Sequence, residues 1–125
     1  MKNNHFTIVI LSYNNEDWVA KNLNSAINQD YDNYDIVYVE DASTDDTRKK
    51  VQSLQDSWDH KKGIFTLMCN AENVKALPNL YSSVNCAKRG SIIVALDGDD
   101  WLANSNVLSK LNKVYQDDNV WITAG

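Results

Sequence analysis
The chain has 125 residues, enough to bury a single core and form one domain over residues 1–125. Its formal net charge of −5 argues against a nucleic-acid partner, and no apolar run reaches the roughly 20 residues that span a bilayer. A hydrophobic share of 43% with 23% charged residues fits a soluble globular class.

The start, Met1-Lys2-Asn3-Asn4-His5, leads straight into apolar residues and does not read as a signal peptide. Residues 6–11 are expected to form a first strand, followed by the polar turn Ser12-Tyr13-Asn14-Asn15. Val19, Leu23, Ala26 and Ile27 recur at helical spacing within residues 16–28. A second strand over 34–39 closes on Glu40-Asp41, and Ser43-Thr44-Asp45-Asp46 offers N-cap groups for a helix running to about Trp58. A third strand is expected over 64–68, then a helix over 76–88 with Pro78 in its first turn, where proline is tolerated. A fourth strand over 91–96 leads to a helix capped by Asn104-Ser105 and carrying Val107, Leu108, Leu111, Val114 and Tyr115. Val120-Trp121-Ile122-Thr123 reads as the start of a fifth strand. The order βαβαβαβαβ predicts an α/β fold, a Rossmann-like, mostly parallel sheet with helices on both faces. Cys69 and Cys86 match no metal spacing and read as reduced, mostly buried thiols, which makes a cytoplasmic setting the default. His5 and His60 read as exposed, and Trp18, Trp58 and Trp121 as packing residues.

One segment carries chemistry. The apolar run Ile92-Ile93-Val94-Ala95-Leu96 reads as a buried strand that ends in Asp97-Gly98-Asp99-Asp100, three carboxylates within four residues. Acidic groups at the carboxyl end of such a strand sit where open α/β sheets bind ligands. Their mutual repulsion favours a positive partner, and oxygen ligands suit a hard cation, Mn²⁺ or Mg²⁺, which would in turn hold a diphosphate.

Four segments together resemble the nucleotide-sugar-binding half of a family 2 glycosyltransferase with the GT-A fold. Thr7-Ile8-Val9-Ile10-Leu11-Ser12-Tyr13-Asn14-Asn15 is similar to the family's I-V-I-P-T-Y-N strand, and Leu23-Asn24-Ser25-Ala26-Ile27-Asn28-Gln29-Asp30-Tyr31 to its L-x-S-I-x-x-Q-x-Y helix. Val37-Tyr38-Val39-Glu40-Asp41-Ala42-Ser43-Thr44-Asp45 resembles V-V-D-D-G-S-T-D, and Asp97-Gly98-Asp99-Asp100 its DxD segment. The late stretch from Asp97 to Thr123 is similar to a eukaryotic and giant-virus-like subgroup.

The resemblance implies roles. Ser12, Tyr13 and Asn14 would lie near the base and ribose, Tyr13 offering a stacking face and a hydroxyl. Glu16 would touch the ribose or, alternatively, serve as a first-turn glutamate favoured by the helix dipole. Asp41 would accept a hydrogen bond from the uracil ring NH and so favour UDP over purine nucleotides; the competing reading is a cap on the turn over residues 42–46. Asp97 would bind the ribose or the metal's water shell, Asp99 the metal itself, and Gly98 would keep the backbone slim beside the diphosphate. Asp100 either shares the metal or caps the next helix, and Trp101 either flanks the sugar or packs.

Departures are also visible. Glu40 replaces a common aspartate, and Leu11-Ser12 replaces Pro-Thr. Asn73-Val74-Lys75 follows the N-x-G pattern with Lys75 at the glycine, where it either contacts base or phosphate or is solvated. The resemblance places the acceptor site and catalytic base in a C-terminal half that has no counterpart here. No catalytic residue is therefore assigned, and slow hydrolysis of a UDP-sugar is expected rather than efficient transfer. A second reading is a non-catalytic nucleotide-sugar sensor or assembly module, with a partner chain or second copy covering the missing half. A receiver-type signalling domain fits the length, but its acids would follow strands one and three, whereas here they follow strands two and four.

Overall fold
A computed structural model describes residues 1–124. Eight elements follow one another: β1 (Phe6–Ser12), α1 (Val19–Ile27), β2 (Tyr34–Glu40), α2 (Thr47–Gln55), β3 (Phe65–Cys69), α3 (Ala76–Cys86), β4 (Ile92–Asp97) and α4 (Val107–Val114). The four strands form one parallel sheet in the order β3-β2-β1-β4.

β1 and β2 are apolar almost throughout because both of their faces are covered. Phe6, Ile8 and Ile10 of β1 join Tyr34, Ile36 and Tyr38 of β2 in a core with Val19, Leu23, Ala26 and Ile27 of α1, Val51 of α2 and Leu108 of α4. The alternate residues Val9, Val37 and Val39 are buried on the other face. The Tyr34 hydroxyl donates to the carbonyls of Ala26 and Ile27, which ties the end of α1 to the sheet. Trp58 meets the Tyr34 ring edge-on at 5.2 Å and donates from Nε1 to the Gly63 carbonyl. Gly63 has no room for a side chain, since a Cβ there would lie 2.2 Å from the Tyr34 carbonyl oxygen.

The chain moves from β1 outward to β2 and β3, then returns past β1 to β4. Right-handed crossovers put α1 and α2 on one face and α3 on the other; α1 packs on α2, and α3 lies over β1 and β2. The reversal falls between β1 and β4, and the crevice outside the carboxyl ends at such a switch point is the ligand position of open α/β sheets.

Several expectations are corrected. The fifth strand over residues 120–123 does not form, and Trp121 and Ile122 are 85% and 87% exposed rather than packed. A strand exists by pairing, and among the described residues nothing pairs with the outer edge of β4, so β-branched composition alone does not suffice. The order is therefore βαβαβαβα. β4 is half-buried, with Ala95 and Asp97 exposed, because it is an edge strand. Both cysteines are free, as expected, but exposed: Cys69 ends the edge strand β3, and Cys86 lies on the outer side of α3. His5 is half-buried, with Nδ1 3.0 Å from Ser91 Oγ and Nε2 3.3 Å from Asp35 Oδ2. α1 starts at Val19 rather than residue 16 because residues 15–18 form a turn closed by Trp18 N–H to the Asn15 carbonyl.

α3 has an unusual polarity. Its buried side chains are Asn79 and Ser83, whereas Leu77 and Tyr81 are 78% and 73% exposed. Contiguous apolar side chains in solvent mark an association surface more often than a free one.

Candidate functional site
The carboxyl ends of all four strands are tied together one step beyond the sheet. Gly98 N–H donates to the Leu11 carbonyl, Asp41 N–H to Ser12, and Asn70 N–H to Glu40, each at 2.9 Å. The resulting rim surrounds a cleft of about 360 Å³ that includes Ser12, Tyr13, Asp41, Asn73, Lys75, Asp97, Gly98 and Asp99. A larger hollow of about 550 Å³ lies elsewhere, against Ser91, Tyr115 and Trp121, and contains none of the expected site residues.

Asp41 is the anchor of this rim. It is only 4% exposed. Oδ1 accepts from Asn70 Nδ2 and Val74 N–H, both at 2.9 Å, and Oδ2 accepts from Lys75 N–H at 3.0 Å. Burial pushes its carboxyl upward, but the bonds from Val74, Asn70, Asn79 and Lys75 together outweigh this and hold it below the ordinary value of 3.8. The carboxylate therefore braces residues 70–75 rather than capping the turn at 42–46; that turn is held by Glu40, whose Oε1 accepts from Ser43 N–H at 2.9 Å. Asn73 donates to the Asp41 carbonyl, and its own Oδ1 is buried without a partner. An orphaned acceptor beside a cleft is a place for a ligand donor.

Lys75 adopts φ 72° and ψ 178°, a region occupied almost only by glycine. The family pattern quoted above has glycine at this place, and also at Ala42, whose φ is 60°. Lys75→Gly is expected to raise stability by about 1 kcal/mol, relief of strain exceeding the added freedom of the unfolded chain. Urea denaturation of the two proteins checks it.

Gly98 has a reason within the protein itself. A Cβ there would lie 2.6 Å from Asn15 Nδ2 and 2.7 Å from Ser12 Cβ and Oγ. The glycine lets the end of β4 close on the end of β1, whatever else approaches it. Gly98→Ala is expected to destabilise by about 1–3 kcal/mol, as overpacking does, and to displace the acidic turn. The urea midpoint reads the first effect and the amide shifts of residues 97–100 the second.

Asp97, Asp99 and Asp100 are exposed, and each can place a carboxylate oxygen within 4.8 Å of the others. No Lys, Arg or His forms a salt bridge with them among the described residues. Three converging oxygen donors without a basic counter-charge fit a hard divalent cation. Asp100 belongs to this cluster but does not line the cleft.

Asn14 and Glu16 are not among the residues that line the cleft. Asn14 Oδ1 accepts from Thr44 N–H at 2.8 Å, and Glu16 Oε2 from Asp46 N–H at 3.4 Å, so both join the turns after β1 and β2. Trp101 also stays off the cleft; it stacks on Trp18 at 6.1 Å with Lys21 Nζ 3.7 Å from its ring centroid. Sequence reasoning did not single out Asn15, Asn70 or Asn79. Asn15 lines the cleft and donates to Ser12 Oγ at 2.9 Å, a role its neighbour in the turn had hinted at. Nothing local marks Asn70 and Asn79, which meet each other and Asp41 only in the fold.

Fold and cleft define a parallel α/β domain with a cluster of three carboxylates at its switch point. Residues 7–125 match Glycosyl transferase family 2, and the chain belongs to that family. It is 28% identical over 109 residues to the Escherichia coli UDP-Glc:alpha-D-GlcNAc-diphosphoundecaprenol beta-1,3-glucosyltransferase WfaP, covering 85% of this chain and 39% of that protein. Among solved structures, it is similar to the mannosyltransferase PcManGT from Pyrobaculum calidifontis in complex with GDP-Man and Mn²⁺, with a TM-score of 0.81, 26% identity, and coverage of 92% of this chain and 33% of that one. S. aureus TarS 1-349 in complex with UDP-GlcNAc shares the fold at a TM-score of 0.74 and 23% identity, covering 89% of this chain and 31% of that one. The architecture is the GT-A class of α/β fold. The chain thus spans about two fifths of the length of a curated relative such as WfaP. Among the described residues no helix is long and apolar enough to cross a membrane.

Proposed function
We propose that this chain is the donor-binding part of a family 2 glycosyltransferase, holding a UDP-sugar through Mn²⁺ or Mg²⁺. The observation that carries the reading is the convergence of Asp97, Asp99 and Asp100 beside the switch-point cleft, without a basic partner among the described residues. Asp99 would ligate the cation, with Asp97 and Asp100 beside it or through its water. The bound cation would stabilise the charge that develops on the leaving diphosphate. Ser12 and Tyr13 would face the base and ribose, and Asn14 and Glu16 would hold the turn that presents them. The orphaned Asn73 Oδ1 would receive the base N–H, with the Asp41 carboxylate beside it as the alternative acceptor, and Lys75 would approach a phosphate. WfaP is named for UDP-Glc and TarS was solved with UDP-GlcNAc, which supports uridine; PcManGT, with GDP-Man, makes guanosine the competitor.

Among the described residues that line the cleft, none is left as a free general base. Asp41 is engaged by residues 70–75, and Asp97 and Asp99 would be engaged by the cation. Efficient deprotonation of an acceptor hydroxyl would need a carboxylate from elsewhere, in a C-terminal half or a partner chain. That favours, as the second reading, a module that binds donor and relies on a partner seated on exposed apolar surface such as Leu77 and Tyr81 of α3. The fully charged donor and the free thiols of Cys69 and Cys86 suit a cytoplasmic setting.

Incubation with UDP-glucose and UDP-GlcNAc in Mn²⁺, with UDP release as readout, separates the two. In hydrolysis the bond from the anomeric carbon to the diphosphate breaks, water oxygen takes its place, and UDP leaves. Slow cation-dependent UDP release supports the enzyme reading. Binding without release supports the module, and neither binding nor release overturns both.

A further inference from the structure
The buried side of α1 carries two polar residues, Asn22 and Ser25, and a third, Gln29, lies two residues past the end of the helix. Asn22 and Gln29 are fully buried, a position that is unfavourable for amides unless their bonds are made. All three grip the segment that follows β4. Asn22 Nδ2 donates to the carbonyls of Asp97 at 3.0 Å and Asp100 at 2.8 Å. Ser25 Oγ accepts from Leu102 N–H at 3.0 Å, and Gln29 donates to the Asn104 carbonyl at 2.7 Å while accepting from Leu108 N–H at 3.1 Å.

Both carbonyls held by Asn22 belong to residues of the acidic cluster. The turn they bracket is closed by Asp100 N–H to the Asp97 carbonyl at 3.0 Å. Three carboxylates that converge within 4.8 Å repel one another, and a free loop would splay to separate them. The amide fixes the peptide from which they project. Asn22 Oδ1, meanwhile, is buried without a partner. An orphaned acceptor weakens the fold, and a leucine of similar size would avoid it. The two donated bonds are what the asparagine supplies that leucine cannot.

We propose that Asn22 is a positioning residue that sets the geometry of the acidic turn before the cation arrives, with Ser25 and Gln29 extending the grip toward α4. The inference rests on the donor-site reading. It makes α1, none of whose residues lines the cleft, a determinant of cation affinity.

Asn22→Leu tests it in the full chain. The expected result is a melting temperature at or above that of the wild type. Mn²⁺ affinity measured with UDP present is expected to fall about 10- to 100-fold, the range for partners that orient metal ligands. In the cation-free protein, hydrogen exchange at the Asp100 amide is expected to speed up about tenfold as the turn loosens. Should the leucine variant not fold, Asn22→Asp keeps the shape, sets an acceptor against the two carbonyls and reads the same quantities. A purely structural asparagine would instead lower the melting temperature and leave the folded protein with wild-type Mn²⁺ affinity and wild-type exchange at Asp100. That outcome overturns the proposal. If the wild type itself takes no Mn²⁺, the donor-site reading fails, and the exchange measurement alone decides whether Asn22 holds the turn.

Discussion

Replacing Asp99 with alanine is expected to lower cation-dependent UDP affinity by on the order of 100-fold or more, about 2.8 kcal/mol, while leaving the fold intact. Asp99 lies at the mouth of the cleft and is exposed, so its carboxylate makes no contact on which folding depends. Its removal also relieves repulsion with Asp97 and Asp100, and surface changes of this kind shift stability by no more than about 0.5 kcal/mol. The remaining pair leaves a hard cation with too few charged oxygens to compete with water. Calorimetric titration with UDP and Mn²⁺, paired with a thermal melt, reads both quantities. Unchanged UDP affinity in the variant would sink the metal-site assignment.

Asp41→Ala is expected to have the second large effect, and a different signature. Donors of Asn70, Val74 and Lys75 now satisfied by one buried carboxylate would lose their acceptor, and the strained backbone at Lys75 would lose the bond that holds it. The expected loss is about 3 kcal/mol, in the range for breaking a buried hydrogen-bonded network. UDP affinity should fall with it, because Asn73 and Lys75 are positioned by the same loop. The carboxyl's folded value lies below the ordinary 3.8, so its contribution is complete above 3.8 and is lost as pH falls from there through the folded value. Asp41→Asn removes the titrating group and should flatten that part of the acid limb. Thermal melts of the three proteins across the acid range test both the size and the sign.

The parts that were legible in the sequence share a physical trait: they are local. β1 and β2 announce themselves as apolar runs because both of their faces are covered, and the acidic cluster is contiguous in the chain. The cleft was legible only in outline. Tyr13 and Asp97 stand at strand ends, where any parallel sheet would place a site. That Asp41 is a brace for residues 70–75 was not legible, since its partners lie about thirty positions away and include backbone N–H groups that have no letter in the sequence. The contacts of Asn22 and Gln29 were not legible, for their partners are carbonyls of a segment some 75 residues later. The fifth strand was expected from composition and failed on pairing. The polarity of the helix over 76–88 was not legible: it turns Asn79 and Ser83 inward and Leu77 and Tyr81 outward, and Asn79 meets the Asp41 network through Asn70. The bonds that Asn14 and Glu16 accept from the N–H groups of Thr44 and Asp46 were not legible either, since those partners lie 30 positions away.

The central claim is that the switch-point cleft is a cation-dependent nucleotide site with a preference for uridine. Calorimetric titration of UDP into the chain, with GDP as control and with and without Mn²⁺, tests it most directly. The account predicts UDP binding that requires Mn²⁺ and GDP binding that is weaker or undetectable. Equal binding of both nucleotides, or UDP binding indifferent to the cation, would contradict it.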